Sequence, residues 1–143
     1  MREILFRGQT RRYGEKVRMG DGEKLPGRWV YGGVLQGSGA HSIIYGGENE
    51  NDPGEGLDKW VVYSDTLGQF TGLLDKNGKR IFEGDIVRDV DTGNIRTVEY
   101  HGNRFVFVSL LRHFFDVIYE EDCEVIGNIH DNPELLTGGA NDV

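Results

Sequence analysis

Glu83-Gly84-Asp85 sets two carboxylates around one glycine, a pairing that can divide general-acid and general-base work when burial pushes the two pKa values apart. The same pattern also holds a turn, because Gly reaches backbone angles other residues avoid and Asp bonds nearby amides. Catalysis further requires a pocket that no surrounding pattern predicts, so the turn reading is preferred. Four histidines, His41, His101, His113 and His130, are scattered without ligand spacing, and the single Cys123 has no nearby His partner in sequence. Neither a metal centre nor a cofactor is expected. Gly37-Ser38-Gly39 and Gly46-Gly47 permit close approach to a phosphate, yet neither leads into Gly-Lys-Ser/Thr or a clear helix, and loop flexibility accounts for them. Ser38 lacks the Gly-x-Ser-x-Gly setting of a hydrolase nucleophile. No catalytic residue is assigned, and the chain reads as a non-enzyme.

Arg7, Arg11, Arg12, Lys16 and Arg18 lie near Phe6 and Tyr13, an interleaving that combines phosphate contacts with base stacking on a single strand. The competing reading is a solvated hairpin whose aromatics pack inward while its Arg side chains pair with acidic groups of the same chain or a neighbouring subunit. Charge favours the second. The 143 residues carry a formal net charge of −8, which opposes approach to phosphate backbones and anionic membranes. Residues 1–30 hold eight Lys/Arg against four Asp/Glu, a net of +4, leaving eight against twenty, or −12, for the rest. That asymmetry suits contact between the N-terminal part of one copy and the acidic part of another.

These residues must be positioned by strands. Ile4-Leu5-Phe6 and Gly27-Arg28-Trp29-Val30-Tyr31 read as short strands of a hairpin-like N-terminal unit. The segment 46–56 has no apolar residue, reads as a mobile loop and marks an internal boundary. After it Trp60-Val61-Val62-Tyr63 resumes strand chemistry. The turn formers Asp75–Gly78, Asp91–Asn94 and His101–Asn103 then punctuate apolar runs at short intervals. They predict a meander with strands Ile86–Arg88, Ile95–Tyr100, Arg104–Val108 and Cys123–Ile126, closed into a barrel that would remove exposed edges. Asn132-Pro133-Glu134 suggests one short C-terminal helical turn. The aromatics Trp29, Tyr31, Trp60, Phe70, Phe105 and Phe107 are expected in the core or at subunit contacts. Glycine, at 22 residues against 3 prolines, fits a turn-rich β protein. One unpaired cysteine fits a reducing, cytoplasmic setting, and neither an export signal nor a membrane span is apparent.

The segment 66–87, TLGQFTGLLDKNGKRIFEGDIV, resembles the signature of the YopX family of phage and prophage proteins. Residues 125–136, VIGNIHDNPELL, are similar to that family's closing motif, and Phe6-Arg7-Gly8 with Gly27–Gly32 resemble its N-terminal pattern. The resemblance implies a mainly β protein: an N-terminal β subdomain with a flexible loop over 1–59, then a small SH3-like β-barrel over 60–143 ending in the helical turn. It also implies a homo-oligomer in the cytoplasm of a bacterial host and no known enzymatic activity. The expected role is a non-enzymatic accessory protein acting by protein binding or scaffolding. The alternative is a single-stranded nucleic-acid binder using Arg7, Arg11, Arg12, Lys16 and Arg18.

Overall fold

The computed structural model describes residues 3–10, 27–37, 39–52, 58–109, 115–116 and 122–137. They are mainly β, their ladders are antiparallel, and no α-helix occurs among the described residues. The chain divides into two compact units, Ile4–Gly68 and Gln69–Val143 together with Met1–Glu3.

In the first unit β1 (Phe6–Gln9), β2 (Trp29–Leu35), β3 (His41–Gly47) and β4 (Lys59–Tyr63) lie in the order β4-β3-β2-β1. The expected N-terminal hairpin is present, with Arg7 opposite Tyr31 and Gln9 opposite Trp29. Strand side chains alternate between faces, so the inward positions of β2, β3 and β4 bring Val30, Ile44 and Val62 together at 0% exposure. Within this unit the strands curl until β4 meets the residue that follows β1, at an antiparallel bridge between Thr10 and Val62. A polar seam ties that end. The Gln9 amide donates to Thr66 Oγ1 at 2.8 Å, Thr66 Oγ1 donates to the Tyr63 carbonyl at 2.6 Å, and the Arg28 amide donates to Thr10 Oγ1 at 3.0 Å.

Strand β3 corrects the loop reading of Gly46-Gly47, which end a strand instead of opening a loop. Gly46 faces Gly32 across the β2–β3 ladder, and a Cβ on Gly46 would stand 1.9 Å from the Tyr31 carbonyl oxygen. Glycine is there because two backbones approach closely, not for flexibility. Residues 53–57 of the predicted mobile loop lie outside the described residues.

The second unit holds β5 (Gly68–Leu74), β6 (Arg80–Phe82), β7 (Asp85–Asp89), β8 (Ile95–His101), β9 (Arg104–Ser109), β10 (Phe115–Asp116) and β11 (Cys123–Asn128). The predicted turns fall between the predicted strands. Ile81, Val87, Val98, Phe107 and Cys123 form one core cluster, with Leu73 and Val125 packed on it. The β5–β6 ladder is irregular between Phe70 and Leu74, and there Thr71 Oγ1 donates to the Ile81 carbonyl at 2.8 Å, supplying a bond the bulged ladder lacks. The five-stranded sheet of this unit runs β10-β9-β8-β7-β11. No pairing joins β10 to β11 among the described residues, so this is an antiparallel sheet with two ends and not a hydrogen-bonded closed barrel. The C-terminal turn is a 3-10 segment over Pro133–Leu136.

Candidate functional site

Asp75 is the most heavily used carboxylate of the long motif. It opens the β5–β6 turn at 6% exposure, and its Oδ1 accepts the amides of Asn77 at 2.8 Å and Lys79 at 2.9 Å. Its Oδ2 accepts the amide of Val125 on β11 at 2.9 Å. Beside it the Lys76 amide donates to the Cys123 carbonyl at 3.0 Å. One side chain therefore fixes a hairpin turn and also covers the outward edge of β11. Capping an edge in this way removes backbone groups that would otherwise template another strand. Gly78, with φ of 79°, supplies the left-handed residue of the turn.

Glu83 and Asp85 likewise serve the backbone. Asp85 is 1% exposed and its Oδ2 accepts the Phe82 amide at 2.7 Å, closing the turn between β6 and β7. Gly84 sits inside that turn at φ of 92°, a conformation costly for any side-chain-bearing residue. Its amide donates to the Val98 carbonyl at 2.8 Å and its carbonyl accepts the Ile129 amide at 2.9 Å, so the turn is joined to two further segments. Glu83 is half-buried, and its Oε1 lies 3.4 Å from the Gln69 amide, which donates to it. Asn128 Oδ1 accepts the amides of His130 at 3.0 Å and Asp131 at 2.9 Å, and Asn132 Oδ1 accepts the Asn128 amide at 3.2 Å. Asn132 thus ties the exit of β11. It makes no side-chain cap to the 3-10 turn; its carbonyl receives the Leu135 amide instead.

Of the basic residues singled out by the sequence, Arg7 lies on β1 at 6% exposure with its guanidinium carbon 4.8 Å from the centre of the Trp29 ring. Arg11, Arg12, Lys16 and Arg18 lie outside the described residues, as do Tyr13, Ser38 and His113. The other histidines are separate: His41 packs its ring on Tyr63 at 5.3 Å, His101 Nε2 is 3.0 Å from Glu99 Oε1, and His130 sits in the Asn128 loop. Cys123 is a free thiol at 0% exposure. No group of three or more His, Cys, Asp or Glu arranged to hold a metal occurs among the described residues. No helix among them is long and apolar enough to cross a membrane.

Sequence reasoning missed the outward face of β2, β3 and β4. Directly opposed residues on an antiparallel ladder share a face. The pairings Leu35 with Ile43 and Ile43 with Val61 therefore make an aliphatic row across three strands. On one side of it lie Tyr45 and Lys59, whose ammonium is 5.9 Å from the Tyr45 ring centre. On the other lies the His41–Tyr63 pair. Leu35 is 57% exposed and Tyr63 41%. Although the chain has 24 Asp and Glu, none occupies an outward position of these three strands. The signal available in sequence was the alternation of Ser42, Ile44 and Gly46 inward against His41, Ile43 and Tyr45 outward.

Comparison with known proteins agrees with these motifs. A crystal structure of protein EF1440 from Enterococcus faecalis is similar over 95% of this chain and 99% of its own, at 24% identity and a TM-score of 0.54. That likeness concerns the fold. No curated protein matches. The model of the YopX protein family matches residues 24–137, which include both the Asp75–Asp85 turns and the Asn128–Asn132 loop, and the chain belongs to the YopX family.

Proposed function

We propose that this chain is a non-enzymatic accessory protein of the phage and prophage kind, working in the cytoplasm of a bacterial host, that self-associates and acts by binding a protein or by scaffolding. The observation that carries this reading is the use made of the motif: Asp75, Glu83, Asp85, Asn128 and Asn132 all direct side-chain oxygens at main-chain amides. A carboxylate in general-acid or general-base work must face a substrate proton. One that accepts two or three backbone amides is building scaffold. The strand order of the second unit supports an SH3-like module there, with an open seam in place of closure.

Light scattering on the purified full chain at micromolar concentrations tests the assembly half, and an assembled species is expected. A strictly monomeric protein counts against it. The competing reading, single-strand nucleic-acid binding through the basic N-terminal segment, predicts binding of short DNA or RNA that weakens steeply with salt. The burial of Arg7 on Trp29 supports a packing role for that residue.

A further inference from the structure

We infer that the outward face of β2–β4 is a docking surface for a second copy of this chain, an inference that rests on the self-association reading above and adds the surface to it. The face has the composition of the buried centre of a protein interface: aliphatic and tyrosine side chains, with Asp and Glu excluded. Leu35 and Tyr63 are large apolar groups that stand substantially in solvent in the single chain, and they flank the half-buried Ile43 and Val61. Contiguous exposed apolar surface of this kind marks interaction sites.

Charge selects the occupant. Two chains of net charge −8 repel, and apposition costs least where neither presents a carboxylate. Exposed charges of both signs border β4. Lys59 begins β4, and Asp65 follows its last residue by two; both are exposed. A two-fold axis in the plane of the face and across the strands runs β4 of one copy against the direction of its partner's. Lys59 of each then approaches Asp65 of the other, twice per dimer. An isologous contact requires such self-complementarity. Single-stranded nucleic acid, by contrast, prefers a broadly positive groove, and the centre of this face is aliphatic.

Sedimentation velocity on the full chain across a concentration series tests the surface, with circular dichroism verifying the fold of each variant. Val61→Glu would place an unpaired carboxylate in the contact and is expected to weaken association roughly a hundredfold or more. Tyr63→Ser and Leu35→Ser, at exposed positions, give the same direction should Val61→Glu fail to fold. Lys59→Asp is expected to weaken association about three- to tenfold, since each exposed pair contributes little, and adding Asp65→Lys should restore it. If the wild-type chain assembles and none of these changes moves its association, the surface is wrong while self-association stands. If the wild-type chain is monomeric, both fail. Loss of short-DNA binding in these variants, with assembly unchanged, would overturn the choice of occupant.

Discussion

Asp75→Ala removes an acceptor used by three amides in two segments. The Asn77 and Lys79 amides lie in an exposed turn, where water takes over, so each lost bond costs about 1 kcal/mol net. The Val125 amide is on a half-buried strand beneath that turn, and leaving it unsatisfied costs about 1–3 kcal/mol. The total is about 4 kcal/mol for the unit that contains Gln69–Val143, or a fall in melting temperature of roughly 16–32 °C at about 4–8 °C per kcal/mol for a unit of that size. Asp75→Asn keeps an oxygen for the turn amides but turns an NH2 toward Val125, so its cost is intermediate, about 2 kcal/mol. Urea unfolding followed by far-ultraviolet circular dichroism gives the free energies, and amide hydrogen exchange at Val125 locates the loss. An alanine variant within about 0.5 kcal/mol of wild type, with Val125 protection unchanged, would refute the claim that this carboxylate joins the hairpin to β11.

Other substitutions probe other links. Ile44→Ala empties the centre of the Val30–Ile44–Val62 cluster and should cost about 2–5 kcal/mol, read by the fluorescence of Trp29 and Trp60 in the same unit. Gly46→Ala drives a methyl toward the Tyr31 carbonyl and should break the end of the β2–β3 ladder; amide exchange at Tyr31 and Gly47 should rise, and unaltered exchange counts against the close approach. Asp85→Ala should destabilise by about 1–3 kcal/mol in thermal melts through loss of the Phe82 bond. Arg7→Ala should lower the melting temperature, because a stem packed on Trp29 is lost, without changing any salt-dependent DNA binding measured by fluorescence anisotropy.

The meander was legible because its signals are local. Turn formers at Asp75–Gly78, Asp91–Asn94 and His101–Asn103 separate runs rich in β-branched and aromatic residues, and β7, β8, β9 and β11 fall within one or two residues of the expected bounds. Closure was not legible, since turn spacing fixes which neighbours pair and leaves open whether the first and last strands meet. β3 was hidden because its inward positions carry Ser42 and Gly46 beside Ile44, so its buried side does not read as apolar. Ser42 is tolerated inside because its Oγ lies 2.8 Å from Ser64 Oγ and accepts the Gly37 amide at 3.1 Å. For the motif, the turn role of Asp75 followed from the residues. Its bond to Val125, 50 positions away, is a product of the tertiary fold. The aliphatic row on the outward face depends on the registers of β2, β3 and β4 together, which no single segment encodes.

If this chain associates with further copies of itself, as proposed, its mass in solution depends on concentration. Sedimentation equilibrium of this chain over a wide dilution series reads that mass. A mass above the 16.1 kDa of one chain, falling toward that value on dilution, is expected. A mass fixed at 16.1 kDa up to the highest soluble concentration would refute self-association.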